Sequence, residues 1–147
     1  MIDSEIITLE MDIDPHNQWF VYIWTTIGNK KSRVGFKVDT GCNSLVLSHS
    51  TLKSMGFSTK ESDLSKLPVV SGRLASGDNH TFRKLGAVSL FHDKGQALQI
   101  CNAAAICHST CETHDLLGTE VLSQFGIVSF DLDNKLMQLN QGVGVRR

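Results

Sequence analysis

At 147 residues, with 41% hydrophobic and 20% charged residues, the chain can bury a core and is not composed like a disordered segment. Its formal net charge is −1 and its basic residues are scattered, apart from the Arg146-Arg147 tail. That balance offers no electrostatic footprint for nucleic acid or an anionic membrane. No run approaches the roughly 18 apolar residues of a membrane span.

The opening stretch "MIDSEIITLEMDIDP" is acidic and has neither a basic n-region nor an apolar h-region. It is therefore not expected to be a signal peptide, and a cytoplasmic location is the default expectation. In that setting Cys42, Cys101, Cys107 and Cys111 are expected to be free thiols, with a disulfide among the last three an option for an exported protein. The length suits one domain over residues 1–147, with a core over roughly 18–139.

"WFVYIWTTI" (Trp19 to Ile27) is aromatic and β-branched, and "GNKKS" supplies a turn. "RVGFKVD" then alternates Val34, Phe36 and Val38 on one face, so the two runs predict a β-hairpin. Trp19 and Trp24 are assigned to core or dimer packing. "LVLS" (Leu45 to Ser48) predicts a short buried strand. In "SHSTLKSMGF" the period changes: Ser48 or Ser50 can cap a helix, Leu52 and Met55 share a face, and Gly56 stops it.

From Ser58 to Pro68 the chain is polar and reads as irregular. "VVSGRLASGDNHTF" (Val69 to Phe82) predicts a mobile hairpin. "FRKLGAVSLF" and "QALQICNAAAI" flank the turn "HDKG" as another strand pair. "LLGTEVLSQFG" reads as strand end, short helix and Gly stop, and "IVSFDLDNKLMQL" as a hairpin around Asp133-Asn134. No repeat or linker interrupts this mainly β pattern.

Within it, Asp39 is out of place. An apolar strand ends on an ionisable residue and turns at once on Thr40-Gly41. Burying an unpaired carboxylate is costly, so Asp39 is either held by structural hydrogen bonds, as in an Asx turn, or kept for chemistry.

Three features occur in order: "FKVDTG" after a hydrophobic strand, the Gly-containing hairpin, and "DLLGTEVLSQF" leading into a short helix. In these the chain resembles the retropepsin-like aspartic proteases, over roughly Gln18 to Leu139. The resemblance implies a mainly β, retropepsin-like acid protease β-barrel with one or two short helices, assembled as a two-fold homodimer. The chain has one Asp-Thr-Gly, no Asp-Ser-Gly as a second copy, and too few residues for a two-lobed pepsin. The resemblance therefore implies that Asp39 meets Asp39 of a second subunit, and that the monomer is inactive.

The implied activity is aspartic endopeptidase, with Asp39 catalytic and the paired carboxylates sharing one proton. The charged member activates a water and the other hydrogen-bonds the scissile carbonyl, with no metal, cofactor or covalent intermediate. Thr40 is implied to hydrogen-bond across the dimer, and Gly41 to let the backbone pass and donate its N–H to a carboxylate. Leu116, Leu117 and Gly118 are implied to pack against this loop, Gly118 leaving room for it. Asp115 is expected to be solvated.

Ala75, Ser76, Gly77 and Asp78 are implied to form a flap over an extended polypeptide substrate, with its tip at Ser76-Gly77 or Gly77-Asp78. Cys42 stands where the family usually has Ala or Ser. Its plain reading is a small, buried apolar residue, and a redox-sensitive dimer is the alternative.

Two other functions compete. A catalytically silent dimer would keep the fold as a peptide-binding module with Asp39 intact. Cys101, Cys107, Cys111 and His114 form a Cys-x5-Cys-x3-Cys-x2-His run with zinc-compatible chemistry, but no Cys-x2-Cys knuckle is present. His16, His49, His80, His92 and His108 show no nucleophile spacing. There is no Gly-x-Ser-x-Gly and no phosphate loop.

Overall fold

A computed structural model describes residues 6–73, 79–92, 97–107 and 114–140. Among them are nine strands and three short helices. The strands are β1 (Ile6–Ile13), β2 (Trp19–Ile27), β3 (Lys30–Val38), β4 (Val69–Arg73), β5 (Asn79–Phe91), β6 (Ala97–Cys107), β7 (Leu116–Leu117), β8 (Ile127–Asp131) and β9 (Leu136–Asn140). The helices are α1 (His49–Ser54), α2 (Glu61–Leu64) and α3 (Thr119–Leu122). The architecture is mainly β, with three short helices where one or two were expected. The additional helix is α2, a single turn within the stretch read as irregular. Four residues are too few to show a helical period, and only Leu64 of them is buried.

All strands join one sheet, whose main path runs β4-β5-β2-β1-β9-β8. Pairing is antiparallel except between β3 and β7. The β2–β3 hairpin pairs in register from Phe20↔Lys37 to Ile27↔Lys30, so only Gly28-Asn29 remain as its turn. Alternation sends Val21, Ile23, Val34 and Phe36 into the core and leaves Phe20, Tyr22 and Trp24 half-exposed on the outer face.

That outer face has its own cover. Lys31 Nζ sits 4.8 Å from the Trp24 ring centre and the Arg33 guanidinium 4.8 Å from that of Tyr22. The His114 ring meets Phe20 edge-on at 5.3 Å. Trp19 points the other way, packing at the core margin against Phe130 with ring centres 4.7 Å apart.

The core also extends N-terminal of the expected span. β1 alternates Ile7, Leu9 and Met11 into it, and pairs with β9 from Ile6↔Asn140 to Glu10↔Leu136. The expected "LVLS" strand is instead a single bridge, Val46↔Leu116, in an otherwise irregular segment. Its Leu45, Val46 and Leu47 are nonetheless buried.

Helix α1 starts at Ser48, whose hydroxyl accepts the Thr51 N–H at 3.1 Å. It ends in a Schellman turn. Gly56 adopts φ +86°, its N–H donates to the Lys53 carbonyl, and the Phe57 N–H donates to the Leu52 carbonyl.

Candidate active site

β3 delivers Asp39. Its last turn of alternation buries Phe36, and the strand stops at Val38, after which the chain reverses. The Cys42 N–H donates to the Asp39 carbonyl at 3.2 Å, closing the turn. The Gly41 N–H donates to Asp39 Oδ1 at 3.0 Å. This is the local bond that an Asx turn makes, so it belongs equally to the structural and the catalytic readings. Among the described residues, no donor reaches the second carboxylate oxygen. Asp39 is half-buried, while Thr40 and Gly41 are exposed in the single chain.

A second segment, distant in sequence, grips this loop. β7 runs parallel to the end of β3, with Lys37↔Leu116 and Val38↔Leu117 in register. The Asp39 N–H donates to the Leu117 carbonyl at 3.1 Å. On its other side β7 meets Val46, whose N–H and carbonyl both bond Leu116, at 3.0 and 2.8 Å. The strand-like pair thus lies between the two arms of the loop that carries Asp39.

Gly118 follows, and it is the point of closest approach. A Cβ built there would lie 2.5 Å from the Cys42 carbonyl oxygen, 2.6 Å from that of Ser44 and 2.9 Å from the Asn43 carbonyl carbon. All three are backbone atoms, so no side chain can swing aside. The backbone of Gly118 is ordinary extended chain (φ −95°, ψ −173°), so space alone requires glycine here. Just beyond, α3 has no side-chain cap. Its first N–H groups donate instead to the loop, Thr119 to the Cys42 carbonyl at 2.9 Å and Glu120 to that of Asn43 at 2.8 Å.

Cys42 is half-buried, and it packs with Val46, Val70, Phe82 and Leu116 into a small apolar cluster. The cluster joins the Asp39 loop to the base of the β4–β5 hairpin. Burial pushes the Cys42 thiol pKa up, partly offset by the Ser44 backbone, and the Asp39 charge adds to the rise. The thiol donates to the Ser44 carbonyl at 3.4 Å.

The β4–β5 hairpin pairs from Val69↔Arg83 to Arg73↔Asn79. At its base the Lys84 N–H donates to the Pro68 carbonyl, and Arg83 Nη1 donates to that of Leu67, both at 2.9 Å. Ala75, Ser76, Gly77 and Asp78, the expected flap tip, lie outside the described residues.

Asp115 departs from expectation. Half-buried, it is held at both oxygens: Oδ1 accepts the Ser48 N–H and Oδ2 the Thr51 hydroxyl, each at 2.7 Å, and its carbonyl accepts the Lys37 N–H at 2.7 Å. The carboxylate thus sits at the start of α1, which has no acidic residue in its own first turn.

The zinc reading fails on geometry. Cys101 and Cys107 stand six residues apart along β6, about 20 Å at strand rise, whereas sulfurs sharing a zinc lie about 4 Å apart. Cys111 lies outside the described residues, and the exposed His114 is set against Phe20.

No family model and no curated protein matches this sequence. A solved structure does: a retropepsin-like aspartic protease from Rickettsia conorii, at 20% identity, with 95% of each chain covered and a TM-score of 0.56. The chain accordingly has the retropepsin-like fold.

Proposed function

We propose that this chain is an aspartic endopeptidase that works as a two-fold homodimer, with Asp39 of each subunit forming the catalytic pair. The observation carrying this reading is the Asp39 loop itself. It is fixed by backbone hydrogen bonds to Leu117 and to the start of α3, while Asp39, Thr40 and Gly41 remain at least partly open on the surface of the single chain. An exposed tip is what a symmetric partner would cover.

In the dimer, two carboxylates a few Å apart cannot both ionise easily, so they hold one proton and titrate as a unit. The charged member takes a proton from a water lying between them as that water attacks the scissile carbonyl. The protonated member hydrogen-bonds the carbonyl oxygen, and the protons then pass to the leaving amine. Thr40 links the two loops across the axis. The β4–β5 hairpin acts as the flap, binding an extended polypeptide by strand addition, with the tip at residues 75–78. Bulky apolar residues at the cleaved bond suit the apolar cluster of Cys42, Val70 and Leu116 beside Asp39.

The test is cleavage of a complex peptide library across roughly pH 4–7 by wild type and Asp39→Asn, on samples shown to be dimeric by light scattering. The expected result is a set of cuts by wild type that falls by more than about 100-fold in the variant. Dimeric wild type that cuts nothing would sink the enzyme and favour a silent peptide-binding module on the same fold.

A further inference from the structure

We infer that Asp115 is a positioning residue for Asp39, and that its carboxylate sets the register of the active-site loop; the inference rests on the proteolytic reading above. Between Asp39 and Val46 the loop is joined to β7 and α3 mainly by backbone bonds, at Asp39, Cys42, Asn43 and Val46, with one long side-chain bond from Thr119 Oγ1 to Asn43 Oδ1 at 3.5 Å. Backbone groups recur at every residue, so they do not by themselves tell one register from the next. The far end of the loop differs. There Asp115 accepts the Ser48 N–H and the Thr51 hydroxyl at 2.7 Å each, and Ser48 Oγ donates to Thr51 Oγ1 at 3.1 Å. Such bonds need an acceptor side chain of one length at one position, and with a carboxylate they are stronger than their neutral neighbours.

The same residue is anchored on its other side, because its carbonyl takes the Lys37 N–H two residues before Asp39. Asp115 thus holds both arms of the loop at once: β3 through its backbone, and the entry to α1 through its side chain. If the α1 end slips, Val46 and Leu116 lose their pairing, and Gly118 no longer lies over Cys42–Ser44. Asp39 then shifts relative to the second carboxylate. Displacements near 1 Å at a reacting group cost about a hundredfold in rate.

The experiment uses the full chain and three variants: Asp115→Ala, Asp115→Asn and Thr51→Val. Asn retains an acceptor for the Ser48 N–H, while Val removes only one of the two bonds. Asp115→Ala is expected to lower kcat by about tenfold to a hundredfold with KM within about threefold. Asp115→Asn should recover most of the loss, and Thr51→Val should fall between. The Asp39 and Gly41 amide signals of 15N-labelled protein should move in Asp115→Ala, while those of the β8–β9 hairpin stay in place.

Unchanged kcat in folded Asp115→Ala, with the Gly41 amide where wild type has it, would overturn the inference. So would a fall in Tm alone with normal turnover at lower temperature, which marks a merely stabilising role. A wild type that cleaves nothing would refute the proteolytic reading. The amide signals of Asp39 and Gly41 would then decide the role of Asp115 separately. Should Asp115→Ala not fold, the Thr51→Val comparison carries the test.

Discussion

Replacing Gly118 by alanine would place a methyl group 2.5 Å from the Cys42 carbonyl oxygen and 2.6 Å from that of Ser44. Ordinary van der Waals contact begins at 3.4 Å, so the loop and the start of α3 must separate by about 0.9 Å. The same movement stretches the Thr119-to-Cys42 and Glu120-to-Asn43 bonds, now 2.9 and 2.8 Å. Forced overpacking of a close backbone contact costs about 1–3 kcal/mol. For a domain of this size that is a fall in Tm of about 3–9 °C.

The activity cost should be larger than stability alone implies, because the strain falls on the Asp39 loop. Displacement near 1 Å predicts about a hundredfold loss of kcat in protein that is still folded. Calorimetry and cleavage assays, run well below the variant's Tm, separate the two effects. Gly118→Ala with wild-type Tm and wild-type turnover would show that the loop yields freely, and the reasoning about this contact would be wrong.

Two further measurements test local electrostatics. Tyr22 is the sole tyrosine, and its hydroxyl donates to Asp12 Oδ2 at 2.8 Å, a bond that raises its pKa, with burial adding to the rise. Ultraviolet titration should therefore show ionisation above the ordinary phenol value, moving down in Asp12→Ala. The sign follows: this bond's contribution to stability is full below the ordinary tyrosine pKa and is lost as pH rises through the folded value. At Cys42, alkylation followed by peptide-resolved mass spectrometry should give a midpoint above that of the denatured chain, lowered in Asp39→Asn by removal of the nearby charge. A native midpoint at or below the denatured one would contradict the burial argument.

Local signals carried much of the fold. Ser48, Leu52, Met55 and Gly56 announced α1, because caps and a buried stripe are written in adjacent residues. β3 was expected from Arg33, yet it begins at Lys30. Lys30 and Lys31 are polar enough to suggest turn, but Lys31 lies over Trp24 on the outer face, while Lys30, exposed at the hairpin end, runs on the other face beside Gly56. β1 lies in a stretch that stands out by its acidity, although Ile7, Leu9, Met11 and Ile13 alternate through it.

The site was legible in its motifs and not in its ties. Asp39-Thr40-Gly41 and Leu116-Leu117-Gly118 stand out by residue type, whereas the bonds joining them run between backbone atoms that any sequence supplies. Asp115 looked dispensable for the same reason: its two partners, Ser48 and Thr51, lie more than sixty positions earlier. No spacing rule reaches that far.

The pairing of remote segments also orders events during synthesis. The β2–β3 hairpin and α1 are built from contacts between neighbouring residues, so their parts leave the ribosome together. Those of the Asp39 seat do not, because Leu117 and Gly118 emerge much later, and β1 must wait for β9 before its row of Ile7, Leu9 and Met11 is fully flanked. A nascent chain halted before Asp115 would therefore carry Asp39 on an unsupported turn. For the proposed protease, that delay would itself be a safeguard, built from sequence separation alone.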